Sequence, residues 1–410
     1  MTDAANTVAG SATGRRWLWQ LVALLSLGLS AVVLLVVIGT WRDPTASLHA
    51  AVSAALWTTF GPHLLLLSLI CIVLSSFGYR FGARRAGILA LTAALLSSAG
   101  CGYIVARIVA ATYAAGGSVN LVSALWLKPM QTTGPDQSRL LSERDGQQLR
   151  VAIYQAKAEH NKAPVMLYIH GGGFMTGSNI ETDADLRWFA DRGWLVFSVD
   201  YRLWQQNLAT WDLAAQDISC AAAWVAQHAA GFGGNIERLA LLGDSAGGNL
   251  AINYAYAAAQ GRLRSPCGDE LPVPQAVIVQ YPAVDPLAIY EHGFAVPGFE
   301  PKMLLRGYLG GDPYQYPERV QSVSSYSYLS ALAPATLIIA PEQDGLVPAW
   351  SVYRFADYAR LAGVDIELVR LPFASHVYNQ LAANSLGNQA RLTITARFLA
   401  EQGLAPQGQR

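Results

Sequence analysis

Apolar residues follow two regimes along this chain, and the change falls near residue 127. Ahead of it they form long runs without charge. Positions 17–39 hold no ionisable residue and suffice to cross a bilayer core at about 1.5 Å per helical residue. Positions 54–77 are the most apolar part of a charge-free interval between Asp43 and Arg80, and 86–106 form a third uncharged run. Trp17, Trp19 and Trp41 stand where interfacial aromatics belong, and Arg107 lies where a long side chain can reach headgroups. A secretory signal is excluded, because its apolar core is shorter and no further spans would follow it. Three transmembrane helices are therefore predicted, with Gly61-Pro62 the weakest point of the second.

Beyond a connector at 116–137, broken by Gly116-Gly117, Lys128-Pro129 and Gly134-Pro135, the runs shorten. Positions 165–169, 195–199, 239–242, 276–280 and 337–340 read as buried strands of a mostly parallel sheet. Helix-like stretches at 213–227, 247–259 and 350–361 lie between them, which predicts a doubly wound α/β sheet. Positions 149–154 read as an antiparallel edge, while 366–371 and a helix-like tail at 392–401 complete the sheet and its cover. The segment 282–330, dense in Pro, Gly and Tyr, is expected to form a lid or pocket wall. The chain thus divides into a membrane region (1–120), a linker (121–137) and a globular domain (138–410).

Composition sharpens this division. Hydrophobic residues make up 52% and charged residues 14%, yet the imbalance is local. Seven of the 28 basic and two of the 28 acidic residues precede Lys128, which leaves 21 and 26 for a mildly acidic soluble part. No basic run invites nucleic acid. Four cysteines are too few for a disulfide scaffold; Cys71 and Cys101 lie in apolar stretches, and for Cys220 and Cys267 a bridge and free thiols both remain open. Arg15, Arg16, Arg80, Arg84 and Arg85 flank the spans on one side, against Arg42 alone on the other. The positive-inside rule then puts the N-terminus in the cytoplasm and, after three crossings, the globular domain outside.

Gly243-Asp244-Ser245-Ala246-Gly247 is a G-x-S-x-G sequence between an expected strand and an expected helix. A serine there sits on a tight turn at the sheet's C-terminal edge, with the helix N-terminus directing positive potential at it. His170-Gly171-Gly172-Gly173-Phe174 follows another strand. Consecutive glycines let backbone N–H groups face a ligand, as an oxyanion hole requires; a phosphate loop would need a Lys and Ser/Thr that are absent.

A serine nucleophile needs a base held by a carboxylate. Of seven histidines, His49 and His63 belong to the membrane part, His160 and His228 read as surface residues, and His170 shapes the glycine loop. His376, in the loop after the last strand, is the expected base, ahead of His292. Glu342 and Asp344 follow the strand ending at residue 340; Asp344, at the turn, is preferred. The order Ser245, Asp344, His376 is the one an α/β-hydrolase produces.

These motifs closely resemble the hormone-sensitive-lipase-like branch of the α/β-hydrolases. The matching pieces are 170–174, Asp200-Tyr201-Arg202-Leu203, the sequence GDSAGGNL at 243–250, Asp344 with Leu346, and His376. The resemblance implies an α/β-hydrolase fold and hydrolysis of carboxylic esters with short or medium acyl groups, without metal or organic cofactor. By it Gly172, Gly173 and Ala246 would donate the oxyanion-hole N–H groups. The family commonly continues with Ala-Pro-Glu where this chain has Trp204-Gln205-Gln206, and its N-terminal cap is replaced by the three spans. The expected substrate is a small-molecule, lipid or glycan ester. An acyltransferase using the same three residues, or a non-catalytic membrane binding protein on the same fold, are the alternatives.

Overall fold

A computed structural model describes residues 3–82, 84–157, 162–268, 271–294 and 298–406, with side chains from Arg16 onward; His160 lies outside the described residues. Three long helices come first: α1 (Asp3–Thr40), α2 (Leu48–Phe81) and α3 (Arg84–Ala114). Arg16–Thr40 of α1 and the whole of α2 and α3 are long and apolar enough to cross a membrane. Small residues bring their backbones together, as expected where no hydrophobic effect drives association. A Cβ added at Gly78 would lie 2.7 Å from that of Ala23, and one at Gly87 only 2.4 Å from Cα of Tyr79. The hydroxyls of Ser26 and Ser75 meet at 2.7 Å inside the bundle.

Ser47 caps α2, its hydroxyl accepting the N–H of Ala50 at 3.2 Å. The helix then continues unbroken through Pro62. Apolar surroundings favour this, since leaving the helix would strand many backbone groups whereas proline removes one donor. Each helix outruns the expected 54–77 and 86–106 bounds, because turns beyond a bilayer core need not be purely apolar.

The globular part is one eight-stranded sheet. Its strands are β1 (Gln137–Arg144), β2 (Gln147–Tyr154), β3 (Ala163–Ile169), β4 (Leu195–Val199), β5 (Gly234–Asp244), β6 (Ala276–Gln280), β7 (Ala335–Pro341) and β8 (Ile366–Leu371). They lie in the order β1-β2-β4-β3-β5-β6-β7-β8. β1 pairs antiparallel with β2 and β2 with β4; every later pairing is parallel. β2 is antiparallel as expected, but β1 takes the edge outside it. β1 lacks an apolar run because neither of its faces is buried in the core; all of its residues are exposed or half-buried.

Among the described residues eight further α-helices follow: α4 (Asp183–Ala190), α5 (Leu213–His228), α6 (Ala246–Ala259), α7 (Pro286–His292), α8 (Pro301–Leu309), α9 (Pro317–Val323), α10 (Ala349–Leu361) and α11 (Leu386–Glu401). The irregular segment after β6 therefore carries three short helices, each opened by a proline at its first turn. One sheet face packs on α5, α6 and α10 through residues such as Leu167, Leu241, Ile218 and Phe355. The other face, with Met166, Leu242 and Ile339, shares a continuous core with α11 and with Val37, Trp57 and Ile104 of the long helices. Sheet and bundle are thus one packed body. Gln343 also donates to the carbonyl of Thr40 at 2.5 Å, and His63 Nε2 to that of Leu125 at 3.1 Å. Cys220 and Cys267 form a disulfide with Cα atoms 5.1 Å apart, resolving a pairing that spacing alone left open.

Candidate active site

The parallel register sets the site's level. Ile169 of β3 pairs with Gly243 of β5, so His170 and Ser245 leave the sheet side by side at its C-terminal edge. Asp344 follows β7 and His376 follows β8 at that same edge. Such an edge is where open α/β sheets gather ligands.

Ser245 links β5 to α6 with φ +54°, a conformation that costs a residue bearing a Cβ. Its neighbours show why the motif needs glycines. A Cβ at Gly243 would fall 2.3 Å from the carbonyl oxygen of Gly247, and one at Gly247 2.2 Å from that of Ile169. The turn is held by Ser245 N–H donating to Gln280 (2.9 Å) and by Ala283 N–H donating to the Ser245 carbonyl (3.1 Å). Ser245 Oγ lies 3.0 Å from His376 Nε2, and His376 Nδ1 lies 2.7 Å from Asp344 Oδ2. The second carboxylate oxygen accepts the N–H groups of Leu346 and Val347 at 3.0 and 2.9 Å. A carboxylate only accepts, so Nδ1 carries the hydrogen and Nε2 is left to accept from the serine hydroxyl. All three side chains are largely buried.

Glu342 is exposed and makes no hydrogen bond to His376. His292, the second-ranked histidine, is exposed beside Glu291 and takes no part.

The glycine loop rests on this turn. A Cβ at Gly171 would lie 3.0 Å from the Asp244 carbonyl and 3.4 Å from Ser245 Cβ. Gly172 and Gly173 hold φ of +105° and +62°. Their N–H groups, and that of Ala246 at the start of α6, donate to no acceptor among the described residues. Among the described residues these three donors are left free near the Ser245 turn. His170 is buried, its Nδ1 2.8 Å from the Gly171 carbonyl and its ring stacked on Tyr201 at 4.4 Å. Burial pushes its pKa down to about 4, so it is neutral and shapes the loop. Tyr201 donates to the His170 carbonyl at 3.0 Å, while Asp200 accepts the N–H groups of Asn179 and Arg150. Arg202 closes the motif on Asp217 at 2.7 Å. Where the resembling family has Ala-Pro-Glu, the indole of Trp204 packs against Gly307 of α8, leaving no room for a Cβ.

Two features have no signal in the sequence pattern. Asp244 is joined below the turn by Arg391 (3.3 Å) and Tyr168 (3.0 Å), and Arg391 also binds Asp185 at 2.5 Å. Only an unusual density of charge at apolar-looking positions could have hinted at this buried network. Beside His376 lies a cavity of about 370 Å³ whose walls include Ala51 and Ala55 of α2, far away in sequence.

The BD-FAE family model matches residues 151–357, which hold Gly172, Gly173, Ser245 and Asp344 and stop short of His376. The chain is 28% identical over 294 residues to Lipase 2 of Moraxella sp. (strain TA144), covering 63% of this chain and 66% of that protein. It is 28% identical over 253 residues to the ethyl acetate hydrolase of Pseudomonas putida, covering 59% and 75%. Across the first such relatives the chain spans between about half and three quarters of their length. Among solved structures, the butyrate-bound thermophilic esterase Est2 of Thermogutta terrifontis superposes with TM-score 0.54 and 27% identity, over 67% of this chain and 97% of that one. With half of its length matched and the sheet order of the fold in place, the chain belongs to the BD-FAE family, among the hormone-sensitive-lipase-like α/β-hydrolases.

Proposed function

We propose that this protein is a membrane-anchored serine esterase in which Ser245, His376 and Asp344 cleave carboxylic esters through an acyl-enzyme. The observation that carries the reading is the unbroken hydrogen-bond line from Ser245 Oγ through His376 to Asp344 beneath the glycine loop. His376 Nε2 takes the hydroxyl proton as Oγ attacks the ester carbonyl. On this reading the N–H groups of Gly172, Gly173 and Ala246, free of other acceptors among the described residues, receive the developing oxyanion, a contribution of several kcal/mol for preorganised donors. His376 then protonates the departing alcohol, and water repeats the sequence on the acyl-enzyme. Asp344 holds the imidazole in the tautomer that each step needs.

A short acyl group fits the surroundings best. Leu304 and Phe299 close on Gly173, where an added Cβ would lie 2.9 to 3.0 Å from both. A relative named ethyl acetate hydrolase, and an esterase solved with butyrate, support the same size class. A p-nitrophenyl ester chain-length series on the detergent-solubilised protein tests this: rates should peak at short acyl groups, and a steady climb toward palmitoyl would reverse the assignment.

The chain divides on this reading into a membrane region, a linker and a catalytic domain. The arginine asymmetry supports a cytoplasmic N-terminus and an outside catalytic domain. A disulfide between Cys220 and Cys267 fits an oxidising compartment.

A further inference from the structure

The alcohol side of the site is built partly from the membrane region, and this bears on what the enzyme hydrolyses. We infer that the substrate's alcohol is a lipophilic group resident in the bilayer, presented from the interface on the catalytic domain's side, with only a small acyl group reaching Ser245. The inference rests on the serine-esterase reading above.

Chemistry fixes which cavity receives the alcohol. His376 must hand its proton to the leaving oxygen, so the leaving group lies on the His376 side of Ser245. The cavity of about 370 Å³ bordering His376 is walled by Ala51, Ala55, Phe294, Phe299, Leu346 and Val377. Among the described residues no charged side chain lines it. Gln343 and Ser375 supply uncharged polar groups; Gln343 Nε2 donates to the Thr40 carbonyl, while its Oε1 is buried without a partner.

Depth along the helices sets where this cavity opens. Arg80, Arg84 and Arg85 mark one membrane interface. About 20 residues span a hydrocarbon core, so counting back from Arg80 brings α2 out near Phe60, leaving Ala55 at headgroup level and Ala51 a turn further out. The same count from Arg16 brings α1 out near Val36, somewhat over a turn before Trp41, and from Arg85 brings α3 out near Val105, beside Arg107. Trp41 and Tyr103 form the aromatic belt expected at that level, with Arg107 bonded to the Tyr103 hydroxyl at 2.8 Å.

The loop that carries His376 is seated on this belt. Phe373 meets Trp41 edge-on at 5.4 Å and Tyr103 at 6.2 Å. Val377 (41%) in the cavity wall, and Leu48 (67%) and Val52 (50%) on the turns of α2 that carry Ala51 and Ala55, expose apolar side chains. Such a rim is a liability in water and at home in a bilayer interface. A hydrocarbon chain inserted from the membrane would continue from lipid into the cavity without crossing water.

The test holds the acyl group constant and varies the alcohol. The full-length protein is reconstituted in phosphatidylcholine vesicles, and initial rates are measured on hexadecyl acetate and on butyl acetate. The rate ratio should favour hexadecyl acetate by about tenfold or more, since a few buried methylenes are worth that much. Ala55→Phe and Ala51→Phe, which fill the cavity from α2, should lower that ratio by about tenfold. Val377→Asp, which charges the mouth without touching the bundle, should lower it as well. A wild-type ratio at or below one, or a ratio unmoved by all three substitutions, overturns the inference. Butyl acetate turnover with no preference would defeat this inference alone, whereas failure to hydrolyse either ester would defeat the esterase reading itself.

Discussion

Nδ1 of His376 lies 2.7 Å from Oδ2 of Asp344, while Glu342, two residues earlier, is exposed and unbonded to the ring. The two carboxylates should therefore behave differently under substitution. Asp344→Asn should lower kcat by about 10⁴-fold, since the amide favours the wrong imidazole tautomer but leaves nucleophile and base in place. Glu342→Gln should stay within about twofold of wild type, as an exposed side chain outside the hydrogen-bond line. Steady-state kinetics on p-nitrophenyl acetate separate them; a crippled Glu342→Gln with an active Asp344→Asn would reassign the carboxylate.

The ion network under the Ser245 turn is a stability element. Arg391 neutralises Asp185 and Asp244 where all three are buried. Arg391→Met would leave two carboxylates without compensation and should destabilise the protein by about 3 kcal/mol or more. Thermal unfolding in detergent should show a clear drop in Tm, with Arg391→Lys falling between. An unchanged Tm for Arg391→Met would mean that the pairs contribute nothing.

His170 links stability to pH. Burial holds its folded pKa at about 4, below the ordinary value of 6.5, so between those values the unfolded chain binds a proton that the folded one refuses. Its contribution is present in full above pH 6.5 and is lost as pH falls through 4. Tm of the wild type should decline across that window, and His170→Gln should flatten the decline. An identical pH slope in the variant would show that other groups cause it.

The orientation of the bundle is testable by fusion. Alkaline phosphatase joined after Gln137 should be active, and joined after Gly82 silent, because three crossings separate the N-terminus from the catalytic domain. The reverse pattern would put Ser245 in the cytoplasm.

Most of the site was legible because its residues are tied to strand ends. Ser245 and His170 follow runs whose apolar pattern marks them as buried strands, so motif and position agree. Asp344 and His376 could be ranked by chain order once β7 and β8 were placed. β1 escaped notice because neither of its faces is buried, so no alternating apolar pattern marks it. Ala51 and Ala55, and the contact of Phe373 with Trp41, escaped for a different reason. Apolar residues in a span look alike whether they face lipid, a neighbouring helix or a substrate cavity, and only long-range packing distinguishes them. Pro62 likewise signals a break in water, yet α2 runs through it, as a helix in apolar surroundings would.

The central claim is that Ser245 attacks the ester, and Ser245→Ala tests it most directly. Triad members act as one unit, so this variant should lose more than about 10⁵-fold in kcat on p-nitrophenyl acetate and should no longer react with a fluorophosphonate probe, while still inserting and folding. Near-wild-type turnover, or probe labelling that persists without the Ser245 hydroxyl, would contradict the account.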